Sequence, residues 1–251
     1  MRDSMERDMD DALDALVARL VDLSTVDRDG ARRLPPEREL VEQLEMSRGS
    51  LRERLSQLES LGILDRRQGH GTYLRSPGSS VVRTTFALMG ALGGVRPEQI
   101  DQAREMLEIV TTVEAAKVAT DDDVAELGRL AESMVDATAA GEHEAGLEAD
   151  LAFHRHLFTI VGNPILDVLQ DGLAGMLRDT LAARRAKALR TETPAADGTY
   201  LTDTVHRQIV AALAERDPDA ARIAIRHHFD HHDAVVGSTD DDVTARRDTH
   251  A

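Results

Sequence analysis

Apolar residues at Met5, Met9, Ala12, Leu13, Leu16, Val17, Leu20 and Val21 recur at steps of three and four, which places them along one face of a helix. Residues 24–33 break that period, are polar and carry Gly30, so they read as a loop. A second, short helix is expected from Pro36, because a proline at the first helical position gives up no hydrogen bond the helix would make, and Leu40, Val41 and Leu44 face inward. Ser47 suits the cap of a third helix, whose buried stripe is Leu51, Leu55, Leu58 and Leu61 and whose end is marked by Gly62. The period then shortens to two. Residues 63–67 and 72–75 read as strands around Gln68-Gly-His-Gly71, where two glycines can take positive φ, giving a wing.

Residues 76–80 (Ser-Pro-Gly-Ser-Ser) look like a linker, which is drawn as 76–96 between a domain at 1–75 and another at 97–235. Nothing after it reads as a strand. Helices are expected at 97–119, 122–140, 145–161, 164–190, 200–215 and 218–234, with Pro97, Pro164 and Pro218 in first turns and Asp121 and Asn163 as caps. The fold class is therefore mainly α: an N-terminal winged helix-turn-helix domain and a C-terminal antiparallel all-helical bundle. The polar segment 236–251 is expected to be a disordered tail.

Composition narrows the chemistry. The 251 residues are 41% apolar and 30% charged, which suits two soluble domains. No run of about 18 apolar residues occurs and the first ten residues are largely charged, so a cytoplasmic protein without a membrane partner is expected. The absence of cysteine excludes disulfides, thiolate nucleophiles and thiolate-bound zinc, leaving His, Asp, Glu or main-chain oxygen to hold any metal. A net charge of −16 argues against a nucleic-acid partner, because neutralising phosphates needs clustered Lys and Arg. Its distribution argues the other way: between residues 31 and 75 nine Arg stand against seven Asp and Glu, so that segment carries +2 and the remainder −18.

Arg48, Arg52 and Ser56 follow at four-residue steps, with Gly49 beside them, away from the leucine stripe. Such a face can enter a major groove, where Arg48 and Arg52 reach guanine edges or phosphates and Gly49 and Ser50 let the backbone approach. Arg38 would lie near the DNA backbone, and the wing would add Arg66, Arg67, Gln68, Gly69 and His70. Taken singly, these arginines are better explained as solvated surface charge. Together, Leu34-Pro-Pro-Glu-Arg-Glu-Leu40, Ser47-Arg-Gly-Ser-Leu-Arg-Glu53, Leu58-Glu-Ser-Leu-Gly-Ile-Leu64 and Arg67-Gln-Gly-His-Gly-Thr72 closely resemble the winged helix-turn-helix signature of the GntR regulator superfamily, over about 40 residues without a gap. The resemblance implies that Arg38, Arg48, Arg52 and the wing tip contact double-stranded operator DNA, and a short inverted repeat would be read by a homodimer. The chain departs from the pattern at Pro36, where a serine cap is usual, and in the 24–33 loop.

Asp150 and His154 lie four residues apart in an expected helix, so both project from one face and can chelate one ion. On spacing alone this pair, and each of His206, His227, His228, His231 and His232, is more readily explained as surface or capping residues. Arg104-Glu-Met-Leu-Glu108, Asp150-Leu-Ala-Phe-His154, Gly162-Asn163-Pro164, His206-Arg-Gln-Ile209, and Asp217-Pro-Asp-Ala-Ala221 leading to His228-Phe229 resemble the successive landmarks of the helical effector domain (FCD) of the FadR-type branch, over residues 98–235. The resemblance implies a divalent metal on Asp150, His154, His206 and His228, and a small organic acid effector whose carboxylate reaches the metal and pairs with Arg104. Asn163 is a further effector-binding candidate. Val205 stands where a glutamate is familiar, and His227 and His232 compete with His228 for the last ligand position. Three neutral imidazoles and a carboxylate suit zinc first, and also nickel, iron, manganese or cobalt, with one or two positions left open. Arg104 could instead be a salt bridge to Glu108, and Asn163 no more than a cap.

These observations predict a ligand-responsive DNA-binding transcription regulator, repressor or activator, and not an enzyme. Two alternatives stand beside it: a metal-dependent hydrolase whose site activates water, and a regulator whose ion merely clamps helices. The hydrolase identifies no second catalytic acid or base and leaves the first 75 residues without a use.

Overall fold

The computed structural model describes residues 2–76 and 78–237, with side chains over 13–76 and 78–234. It divides into two compact units, Met1–Val81 and Val82–Ala251.

In the first unit α1 (Arg2–Leu23) leads to β1 (Thr25–Val26), β2 (Arg32–Arg33), α2 (Glu37–Gln43), α3 (Arg48–Ser60), β3 (Leu64–Arg67) and β4 (Gly71–Leu74). Of the stripes expected from periodicity, Leu13, Leu16, Val17, Leu20, Leu40, Val41, Leu44, Leu51, Leu55 and Leu58 meet in one core, Leu20, Leu40, Leu51, Leu55 and Leu58 being fully enclosed. Val21 and Leu61 are only half-buried and stand outside it, and the side chains of Met5, Met9 and Ala12 lie outside the described residues. The wing strands pair antiparallel from Leu64↔Leu74 to Arg67↔Gly71, and the turn glycines take φ +77° at Gly69 and +114° at Gly71. One expectation is corrected: residues 24–33 are not a plain loop. Asp27 Oδ1 accepts from the amides of Asp29 and Ala31 at 3.0 and 2.9 Å, Gly30 sits at φ +80°, and this side-chain turn closes a hairpin whose β2 pairs with β4. The sheet order is thus β1-β2-β4-β3. Two-residue strands are too short to show a period of two, so only the pairing reveals them.

The second unit contains all but the first turn of α4 (Ser79–Ala91), then α5 (Pro97–Val118), α6 (Asp121–Ala140), α7 (His143–Val161), α8 (Pro164–Thr191), α9 (Leu201–Thr204), α10 (His206–Ala214) and α11 (Pro218–Gly237). Tight connections turn the chain back between long helices, two of them through left-handed glycines, Gly141 at φ +73° and Gly162 at +67°. The core lies between α5, α6, α7, α10 and α11, around Met134, Phe153, Leu157, Ile209 and Ile225. None of the described helices is long and apolar enough to cross a membrane.

Three further expectations change. The linker drawn at 76–96 holds the 13-residue helix α4, which has no fully buried residue of its own. It finds a seat because α8 offers glycines: a Cβ on Gly172 would lie 2.8 Å from Val82 and 3.3 Å from Phe86, and one on Gly175 would lie 2.7 Å from Arg83. The cap of α6 is Thr120, not Asp121; its hydroxyl accepts from the amide of Asp123 at 3.2 Å while the Asp123 carboxylate accepts from the Thr120 amide at 2.8 Å. The helix expected over 200–215 is broken at Val205, where the Asp203 carbonyl accepts from the His206 ring. The expected tail from 236 lies almost entirely outside the described residues.

Candidate functional site

The exposed candidates sit on the first unit. Ser47 caps α3 by accepting from the Ser50 amide at 3.2 Å, which fixes where the helix begins and so which side chains lead it. Arg48 and Gly49 are exposed, Ser50 is half-buried, and the Arg52 side chain is 71% exposed, while Leu51 and Leu55 turn inward. Arg38, Arg48 and Arg52 line one shallow groove with Glu37, Val41 and Leu51. The arginines are not all idle: Arg52 pairs with Glu37 at 2.9 Å, and Arg66 with Glu59 at 3.2 Å. At the wing, Arg67 lies over the Tyr73 ring at 4.5 Å and pairs with Asp65 at 3.0 Å, while Gln68, Gly69 and His70 form the exposed tip. His70 Nδ1 donates to the Gln68 carbonyl at 3.0 Å, which tightens that turn.

The second unit buries its candidates. Asp150 and His154 share a face of α7, His206 opens α10, and His228 lies midway along α11. Asp150 Oδ1 is 3.1 Å from His206 Nε2 and 3.7 Å from His154 Nε2. The three imidazoles present nitrogens that all lie within 4.8 Å of one another. His154 Nε2, His206 Nε2 and His228 Nδ1 are buried without a hydrogen-bond partner. Three orphaned imidazole nitrogens about one carboxylate are costly unless something accepts their lone pairs, so this donor set fits a divalent transition metal.

Neighbouring groups fix the rings. The Asp203 carbonyl lies 3.0 Å from His206 Nδ1, and because a carbonyl can only accept, that nitrogen carries the hydrogen and Nε2 keeps its lone pair toward Asp150. Asp203 is itself buried against Arg185 at 2.5 Å, and Arg185 also donates to Thr138 at 2.7 Å. On the other side Glu108 Oε2 is 2.6 Å from His154 Nδ1, and its second oxygen takes Arg104 Nε at 2.6 Å. Burial pushes the Glu108 carboxyl up, but Arg104 and His154 outweigh it and hold it at about 2. Burial likewise opposes charge on His154, yet Glu108 and Asp150 raise it to about 9. His228 is driven well below its ordinary value by burial and by the neighbouring imidazoles.

The structure therefore brings Asp150, His154, His206 and His228 together. It separates His227, which is exposed against Gln208 at 3.1 Å, and it gives Arg104 the salt bridge weighed against effector binding, though one that abuts the cluster through Glu108. Asn163 is exposed and accepts from the Ile165 amide at 3.1 Å, which is the capping role and leaves it no contact with the cluster among the described residues. Arg185 and Asp203 carry no sequence signal of their own as site residues, and Glu108 carries one only as the end of the Arg104–Glu108 landmark. Glu108 follows Arg104 at helical spacing, but its approach to His154 depends on how α5 packs on α7.

Residues 29–74 match the model for bacterial regulatory proteins of the gntR family, and residues 99–231 match the model for the FCD domain. The HTH-type transcriptional regulator YcbG of Bacillus subtilis (strain 168) is 32% identical over 198 residues, 78% of this chain and 77% of its own length. The Uxu operon transcriptional regulator of Escherichia coli (strain K12) is 30% identical over 206 residues, 79% of this chain and 76% of its own. A solved structure of a Streptococcus agalactiae GntR protein aligns with a TM-score of 0.59 at 26% identity, covering 89% of this chain and 95% of that one.

Proposed function

Because this chain belongs to the GntR family of bacterial transcription regulators, in the branch that carries an FCD domain, we propose that it binds an inverted-repeat operator as a homodimer and releases or tightens its hold when a small organic acid reaches a metal-containing pocket in its helical unit. The relatives are named as transcription regulators and not as enzymes, which removes the hydrolase alternative. The observation that carries the sensing reading is the buried cluster of Asp150, His154, His206 and His228, with three unpartnered imidazole nitrogens around one carboxylate.

Those four side chains would hold the ion, and a divalent ion there supplies a Lewis-acidic point to which a carboxylate oxygen can bind. The chain's own residues supply the rest. Glu108 buttresses His154 from α5, and the Asp203 carbonyl orients His206, so two ligands arrive with their lone pairs already aimed. Since the ligands come from α7, α10 and α11, any group added at the cluster bears on three helices at once. This links the pocket to a rearrangement of the bundle, and hence to the spacing of two DNA-binding units in a dimer.

Elemental analysis of untagged protein tests the metal: one divalent ion per chain is expected, and His154→Ala or His206→Ala should lose both the ion and the effector response in operator binding. Full metal in those variants would reject the four ligands. Loss of metal with an intact effector response would make the ion a clamp instead.

A further inference from the structure

His232 lies one turn beyond His228 on α11, and its ring centroid is 4.4 Å from that of His228. Its Nε2 is buried and has no hydrogen-bond partner. It nevertheless stands outside the trio of His154, His206 and His228 whose nitrogens converge within 4.8 Å. A buried imidazole nitrogen beside the cluster needs a partner that the described residues do not provide.

Arg104 has donors to spare. Among the described residues its only hydrogen-bond partner is Glu108, reached through Nε, so the two terminal nitrogens of the guanidinium fork are unused. The group is buried, and it is near enough to Asp150 and His232 for each to feel its charge. With a dication in place, the ion and Arg104 bring three positive charges against the two carboxylates of Glu108 and Asp150, the three ligating imidazoles being neutral. One positive charge remains in a water-poor site, which favours a singly charged anion.

Resting on the metal-site reading above, we propose that His232 is an effector-binding residue and not a metal ligand: its Nε2–H, together with the free end of the Arg104 fork, receives the acid group of a small carboxylate beside the ion. An imidazole N–H aimed at a carboxylate oxygen is a charge-assisted bond, stronger than a neutral one, and it selects for an acceptor at that position.

Cobalt(II) loaded into the full chain reports its own coordination through visible absorption, and acetate serves as the probe. The wild type is expected to take up one cobalt per chain and to show a saturable spectral change with acetate. His232→Phe should keep the cobalt and its acetate-free spectrum but require about ten-fold more acetate or beyond, as loss of a hydrogen bond to a charged group implies. His232→Gln, which retains an N–H donor, should recover part of that loss, and His232→Ala gives the same comparison should the phenylalanine prevent folding. An unchanged acetate midpoint in the Phe or Ala variant would overturn the proposal. So would loss of cobalt or an altered acetate-free spectrum in it, which would make His232 a ligand. Failure of the wild type to bind cobalt would overturn the metal-site reading itself and this proposal with it.

Discussion

In the N-terminal unit Arg48 and Arg52 stand in solvent on a helix whose opposite face is leucine; in the C-terminal unit Asp150, His154, His206 and His228 are buried on three helices. The difference is one of energetic regime. An exposed charge is already solvated, so Arg52 can exchange Glu37 for a phosphate at little cost to the fold, and its worth is realised at the operator. A buried charge has no water to fall back on. The charged groups that flank the cluster are therefore paired, as in Arg104–Glu108–His154 on one side and Arg185–Asp203–His206 on the other. Substitutions of the exposed arginines of the first unit should alter binding while leaving the fold alone, whereas substitutions of the buried charges of the second should alter the fold as well.

The sharpest test is Arg185→Leu. It leaves the Asp203 carboxylate, which burial already holds above its ordinary value despite Arg185, without its ion-pair partner. Breaking a buried pair from one side costs about 3–5 kcal/mol, to be read from urea or thermal melting, and Arg185→Leu combined with Asp203→Asn should regain a large part. A loss below about 1 kcal/mol, the range of exposed pairs, would erase the contrast between the units.

Next in size are Arg48→Ala and Arg52→Ala, each expected to weaken operator binding by about 1–3 kcal/mol if they reach base edges, with melting temperatures unchanged. Full affinity in the double variant would remove the proposed reading face. Ser47→Ala then measures how far that face depends on its helix cap. About 1 kcal/mol of stability should go with the lost bond to the Ser50 amide.

The smallest effect is a pH dependence. Burial pushes the Glu192 carboxyl up, but the His231 ring at 2.8 Å and the Thr202 amide at 3.0 Å outweigh it, so its folded value lies below the ordinary one. A depressed carboxyl contributes stability that is complete above its unfolded pKa of about 4.3 and is lost as pH falls through the lower folded value. Glu192→Gln should therefore flatten the acid limb of the stability curve below about pH 4. A limb as steep as that of the wild type would show that this half-buried contact behaves like a solvated one.

What the sequence determined by itself is nearly everything local. The leucine stripe of α3, the Ser47 cap, the wing glycines and the proline-led starts of α5, α8 and α11 all follow from interactions within a few residues, and a period of 3.6 is visible wherever one face is buried. The pairing of Asp150 with His154 was equally legible, because four residues are one helical turn. The Thr120–Asp123 box could also have been read, since both partners lie within one turn. Tertiary structure decided what depends on distant partners. Residues 79–91 become a packed helix because Gly172 and Gly175 leave room for Val82, Phe86 and Arg83. His228 joins the cluster and His227 does not because a shift of one residue turns a side chain about 100° around a helix, and only the packing of α11 on its neighbours fixes which direction is inward. Glu108 and Asp203 acquire their parts for the same reason: burial makes an unpaired charge expensive, and which groups meet is settled only when the helices do.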